Sequence, residues 1–240
     1  MNAKQLKLIG IITMTIDHIA VFLMEPSGFW YVFFRSVGRI AFPIFALMVV
    51  EGFIHTRNVY HYFIRLFSFA ILIESVLLFL YLRFGVNMTV FHWLGEGGSE
   101  NIIWPLVLGL GAIILLSHPK PWIKTLALLP ILLAIVLRTS YGFYGVLMIV
   151  LLYGYRHDVQ RLLYGGMLTA LYVYLPMLAD GEGYFPSIML IQFFALIAFI
   201  LFFFYNGKKG KQNKWFFYMY YPAHIILLFV IAMVIGGEIM

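Results

Sequence analysis

The chain has 240 residues, 63% of them hydrophobic and 11% charged, with a formal net charge of +6. Soluble domains run at about 45–50% apolar and about 25% charged residues, so this composition excludes a water-soluble globular protein and specifies a polytopic membrane protein. The absence of cysteine removes disulfides, thiolate metal sites and cysteine nucleophiles.

In chain order, apolar runs predict about nine spans, at residues 6–24, 30–53, 61–82, 102–117, 124–137, 143–155, 162–179, 187–205 and 215–236. A helix needs about 20 residues to cross a hydrocarbon core of roughly 30 Å. The runs at 124–137 and 143–155 are short, and are expected to tilt, kink or enter only partway. The first run is too long for a signal-peptide core and lacks a small-residue cleavage site, so it is expected to stay in place. No polar stretch is long enough for a second domain. The expected fold is an all-α transmembrane bundle, one domain over residues 1–240.

Charge alternates between junctions. Lys4, Lys7, Arg57, Lys120, Lys124, Arg156, Arg161, Lys208, Lys209, Lys211 and Lys214 fall on one side. Glu25, Glu96, Glu100, Asp180, Glu182 and Glu238 fall on the other, where Arg83 and Arg138 are the only bases. The positive-inside rule then makes the N-terminus cytoplasmic and, with nine spans, the C-terminus external. Short basic loops of this kind report orientation and do not predict nucleic-acid binding. The lysine-rich stretch 206–214 reads as a topology determinant on anionic lipid or as a docking patch for an anionic cytosolic ligand. Residues 84–101 form the longest outer connection, with Phe91 and Trp93 suited to the interface. No internal repeat is visible, and an odd span number is unlike a duplicated transporter.

The informative residues are the ionisable ones inside the spans, because a charged side chain at mid-membrane costs roughly 2.5–3.5 kcal/mol on insertion scales. Counting along each helix places Asp17 and His18 about 16–18 Å from the cytoplasmic boundary and His224 about 14 Å from it. Glu74 falls about 20 Å up, Arg39 about 14 Å from the outer boundary and Arg35 about 6 Å nearer to that boundary. Four spans thus bring ionisable groups to one slab. Consecutive helical residues point about 100° apart, so Asp17 is expected to pair with an arginine of the second span, leaving His18 to face a cavity or substrate. Arg35 and Arg39 are one turn apart and suited to clamping a carboxylate or another anion. Arg39 with Asp17 also fits a structural ion pair, and His224 alone fits a packed, hydrogen-bonded histidine. Glu51 and His55 are one turn apart, but without further ligands at metal spacing they read as a helix-end hydrogen bond, and no metal is expected. Arg65 and Arg83 are expected to snorkel to the two interfaces.

Several blocks also resemble a known family. They are Thr13-Met14-Thr15-Ile16-Asp17-His18, Gly38-Arg39-Ile40-Ala41-Phe42-Pro43-Ile44-Phe45, Glu51-Gly52-Phe53 and His55-Thr56-Arg57-Asn58. Later come Tyr141-Gly142-Phe143-Tyr144-Gly145-Val146-Leu147, Tyr205-Asn206-Gly207-Lys208-Lys209-Gly210, Phe216-Phe217-Tyr218 and Tyr221-Pro222-Ala223-His224. In this order they resemble the TraX family, named for acetylation of conjugative pilin and related to the wider acyltransferase-3 group. The resemblance covers most of the chain. It implies transfer of an acetyl or similar acyl group from acetyl-CoA or another acyl-CoA to an amine or hydroxyl. It also implies a bacterial cytoplasmic membrane, and a pilin, glycan or lipid-linked acceptor. In the wider group a histidine in an early span is the catalytic base, and His18 stands at that place. The group's arginine upstream of that histidine is missing here; Lys7 is the nearest cation, and Arg39 is the expected substitute. The tyrosine-rich block ending in His224 matches the group's final-span pattern.

The chemistry fits these residues. Attack on a thioester needs a base that titrates near neutrality, the ordinary range of histidine, and the adjacent Asp17 carboxylate is expected to support His18 in that catalytic role. The developing oxyanion needs a donor, for which Arg39, Tyr221 or a backbone amide is suited. Arg57 with Lys208 and Lys209 is the expected contact for the polyanionic end of CoA, and Arg35 and Glu74 complete the expected substrate-binding set. A proton-coupled transporter or lipid-handling permease uses the same residue types and is the alternative. A non-catalytic assembly subunit is the third, and predicts that the buried polar set tolerates substitution.

Overall fold

A computed structural model of the chain describes residues 1–26, 28–84, 101–155, 159–180, 190–211 and 214–235. Phe91, Trp93, Glu96, Glu100, Arg156, Glu182 and Glu238 lie outside the described residues. Within them the regular structure is helical, with no strand. The helices are α1 (Ala3–Leu23), α2 (Phe29–Gly38), α3 (Ala41–His55), α4 (Val59–Phe84), α5 (Ile103–Leu116) and α6 (Pro121–Thr125). There follow α7 (Leu128–Val136), α8 (Gly142–Tyr155), α9 (Gln160–Asp180), a 3₁₀ helix (Ile191–Ala195) that runs into α10 (Leu196–Phe203), and α11 (Lys214–Ile235). Every predicted apolar run is helical over most of its described residues.

Among the described residues, four stretches are long and apolar enough to cross a membrane: Ala3–Leu23, Phe29–His55, Val59–Leu80 and Phe216–Ile235. The apolar helices Ile103–Leu116, Pro121–Val136, Gly142–Tyr155 and Ile191–Phe203 are shorter. The protein is an all-α integral membrane protein.

Two of the predicted runs are broken, and proline explains both. Pro43 has no N–H to donate to the Arg39 carbonyl, and its ring crowds that carbonyl. The chain therefore leaves α2 through tighter turns, with Arg39 N–H on Ser36 O at 3.1 Å and Ile40 N–H on Val37 O at 3.2 Å, before α3 begins. Pro130 does the same to Leu126, whose carbonyl accepts from Leu129 N–H at 3.0 Å, so α6 and α7 are separate helices.

The chain groups into two compact units, residues 1–45 with 157–239, and residues 46–156. In the first, α1 packs against α2 and α11, the 3₁₀ helix against α2 and α9, and α10 against α9. In the second, α5 packs against α4, α6, α7 and α8 and is the buried centre, with Leu106, Val107, Leu110 and Ile113 all inside. Lipid is as apolar as leucine, so helices associate in membranes by close packing of small residues. Ala112 of α5, Ala134 of α7 and Val146 of α8 form such a contact. Gly109 of α5 lets Ile149 of α8 into space that a Cβ would fill.

In the first unit the chain before α1 is tied to the lysine loop. Ala3 N–H donates to Lys208 O at 2.8 Å and Asn206 N–H to Met1 O at 2.9 Å. Asn2 caps α1 by accepting from Gln5 N–H at 3.1 Å. Gly207 and Gly210 take left-handed conformations, φ 71° and 69°, and a Cβ on Gly210 would meet the Asn2 side chain. The loop thereby holds exposed Lys208 and Lys209 beside the start of α1.

α7 ends in a Schellman motif, with Thr139 N–H on Ala134 O at 3.1 Å and Arg138 N–H on Ile135 O at 3.1 Å. Arg138 occupies the left-handed position that glycine usually fills, at φ 46°. Arg138→Gly is expected to stabilise the protein by about 0.5–1 kcal/mol, the left-handed strain relieved less the added freedom of the unfolded chain. Thermal unfolding in detergent reads this as a rise in melting temperature; a fall shows that the Arg138 side chain holds the turn.

Candidate active site

The site is built in the first unit from α1, the end of α2 and α11. The break before Pro43 makes Arg39 the residue at which α2 stops, one turn beyond Arg35. Arg35 Nη1 donates to Asp17 Oδ2 at 2.7 Å and Arg39 Nη2 to Asp17 Oδ1 at 3.0 Å, so each carboxylate oxygen holds one guanidinium. Arg39 Nε donates to the Arg35 carbonyl at 3.2 Å. The three side chains are only 13–22% exposed. Gly38 makes the approach possible, because a Cβ there would overlap the Asp17 carboxyl group. Two cations and one anion leave the trio with a net positive charge.

His18, about 100° further round α1, engages α11. Its Nδ1 lies 2.7 Å from His224 Nε2, and the two rings stack at 4.9 Å. His224 Nδ1 lies 2.9 Å from the Tyr220 carbonyl, which can only accept, so that nitrogen carries a proton. In neutral His224 the Nε2 is then the lone-pair nitrogen, and His18 must donate to it from Nδ1. The network thus assigns His18 Nε2 as the basic nitrogen of the pair. Tyr220 stacks on His224 at 5.2 Å, Tyr221 sets its edge against both histidines, and Phe22 sets its edge against His18 at 6.5 Å. Thr15 gives its one hydroxyl proton to Ile11 O at 2.8 Å, which leaves Tyr220 as the donor in their 2.8 Å contact.

Asp17, His18, Arg35, Arg39, Tyr221 and His224 therefore come together. His18 is not free, as the sequence had suggested: Nδ1 is engaged and Nε2 alone remains for chemistry. Arg39 Nε and Nη2 each already make one hydrogen bond, to the Arg35 carbonyl and to Asp17 Oδ1. Lys208 and Lys209 sit in the loop of the same unit. Glu74 and Arg57 belong to the second unit. Glu74 is buried there, its Oε2 accepting from Asn101 Nδ2 and Trp104 Nε1, each at 2.8 Å. Asn101 Nδ2 also donates to Ala70 O at 2.9 Å, so the network ties α4 to the start of α5. Arg57 is exposed in the turn between α3 and α4. His55 Nδ1 lies 2.9 Å from the Glu51 carbonyl, a helix-end contact.

Sequence reasoning missed Thr15, Tyr220 and Gln192. Gln192 had a signal, as the only polar side chain between residues 190 and 203.

Asp17 serves two cations, so Asp17→Ala is expected to destabilise by about 3–5 kcal/mol. Arg35→Leu leaves Asp17 with Arg39 and should cost about 1.5–3 kcal/mol. Thermal unfolding of both variants in detergent checks the order; equal losses show that the two arginines do not share the carboxylate.

Residues 2–232 match the family model described as TraX protein. The probable fimbrial assembly protein FimC, serogroup H1, of Dichelobacter nodosus is 29% identical over 233 residues, covering 95% of this chain and 94% of that protein. No solved structure matches the chain. A match over nearly the whole length takes in both compact units as well as the histidine and arginine blocks, and the chain belongs to the TraX family.

Proposed function

We propose that the protein is a membrane-embedded acyltransferase that moves an acetyl or similar acyl group from acyl-CoA to an amine or hydroxyl of a fimbrial or other envelope acceptor. The observation that carries this reading is the His18–His224 pair at 2.7 Å, with one basic nitrogen left on His18. The family model and the fimbrial relative support it; in this reading the acceptor is a pilin and the location a bacterial cytoplasmic membrane.

Transfer is direct. As the acceptor nitrogen or oxygen bonds to the thioester carbon, its proton passes to His18 Nε2. Negative charge on the carbonyl oxygen faces the net-positive Asp17–Arg35–Arg39 trio. The carbon–sulfur bond then breaks, and the CoA thiolate takes the proton from His18 Nε2. His224, accepting from His18 Nδ1, steadies the imidazolium between the two steps. The exposed Lys208 and Lys209 contact the phosphates of CoA, a role that suits a glycine-bounded loop fixed to the start of α1.

A positioned general base contributes about 10²–10⁴-fold in rate. His18→Ala should therefore lower thioester loss from acetyl-CoA by at least about 10²-fold, with expression and melting temperature kept. Purified wild type, His18→Ala and Arg39→Ala in detergent make the comparison. Undiminished turnover in His18→Ala removes His18 from the mechanism. Substrate-driven proton flux without thioester loss identifies a proton-coupled transporter instead.

A further inference from the structure

One buried amide has no part in the chemistry above. Gln192, in the 3₁₀ helix, is 5% exposed, and its Nε2 is buried with no hydrogen-bond acceptor. A 3₁₀ helix has three residues per turn, so residues fall on three faces and i, i+3 pairs eclipse. Phe194 is on an outer face, 43% exposed. Phe193 sets its ring 6.4 Å from Tyr174 of α9. Gln192 and Ala195 share a third face and are both buried, and α2 is the other helix packed on this element.

On α2 stands a second atom of the same kind. Arg35 Nη1 is bonded to Asp17, but Arg35 Nε is buried with no acceptor. α2 and the 3₁₀ helix, which pack on each other, therefore carry between them a neutral amide N–H and a guanidinium N–H, each buried without an acceptor. Buried donors are ordinarily bonded, and leaving one unmade is costly. Two on facing elements complement an oxygen brought by a ligand.

We propose that the seam between α2 and the 3₁₀ helix binds the carbonyl oxygen of the transferred acyl group, with Gln192 Nε2 and Arg35 Nε as its donors. The assignment rests on the acyltransferase reading. A thioester oxygen is uncharged before attack and anionic after it, and a neutral donor beside a cationic one favours the second state. It also adds donors beside Arg39, whose Nε and one Nη2 hydrogen are already bonded.

The test uses the full chain in detergent and acetyl-CoA as probe, with Gln192→Met, of similar length and without the amide, and Arg35→Lys, which keeps the charge for Asp17 but loses Nε. Melting temperature without substrate is read beside kcat and KM for thioester loss. Gln192→Met is expected to melt higher than wild type, because an unbonded buried donor is gone, yet to lose about 10²–10³-fold in kcat with KM changed only a few-fold. Arg35→Lys should also lose mainly kcat. Gln192→Met that melts lower with wild-type turnover makes the amide structural, and one that melts higher with wild-type turnover makes it the seat of a water or a lipid carbonyl. Either result overturns the assignment while an active wild type keeps the acyltransferase reading. A wild type without thioester loss overturns that reading, and the assignment with it.

Discussion

The Asp17 carboxylate, shared between Arg35 and Arg39, is the interaction on which the site depends. A lone carboxylate in a membrane span is expensive, and so is a lone arginine. Together they bring α2 against α1 in one register, since Asp17 reaches both guanidiniums only where Gly38 admits the carboxyl to the backbone. That register then fixes what else α1 presents. His18 is the next residue, so holding Asp17 toward α2 turns His18 toward α11 and its His224.

The proline break serves the same arrangement. A continuous helix would carry on from Arg35 to Arg39 with ordinary spacing and keep the Arg39 carbonyl bonded within the helix. With Pro43 removing that bond, α2 ends in tighter turns at Arg39, whose Nε reaches back to the Arg35 carbonyl at 3.2 Å. In α11, Pro222 stands two residues before His224 and leaves the Tyr218 carbonyl without its i+4 backbone donor. Irregular backbone is tolerated at membrane depth where protein surrounds it. Here it accompanies α2, whereas α11 stays helical through Pro222.

The sequence made the helices legible because lipid demands long apolar runs, and the polar residues within them stood out against that background. Asp17 facing the arginines followed from the 100° step alone. The break at Arg39 did not, although Pro43 was in view, because proline is accommodated in the first turn of a helix as readily as in a kinked span. The pairing of His18 with His224 joins residues 206 apart. No local period encodes it, and only the packing of α11 on α1 reveals it. Glu74 was grouped with the other ionisable residues by depth alone, and its partners Asn101 and Trp104 lie with it in the second unit. Gln192 carries no charge, so a search led by ionisable residues passed over it.

Proton position is what the arrangement controls most tightly. The Tyr220 carbonyl can only accept, and that fixes the proton on His224 Nδ1. His224 Nε2 then fixes the proton on His18 Nδ1, and His18 Nε2 is left basic. Each step is set by an atom with no alternative role, starting from a backbone carbonyl that cannot change protonation. Asp17, the acid nearest to His18 in sequence, is held away by two arginines and takes no part in this chain. In serine-hydrolase triads a carboxylate orients the histidine; here a second imidazole occupies that place. An imidazole partner adds no negative charge beside His18, so the trio's positive charge is not offset there; in the acyltransferase reading proposed above, that charge favours a transition state more negative than its substrates.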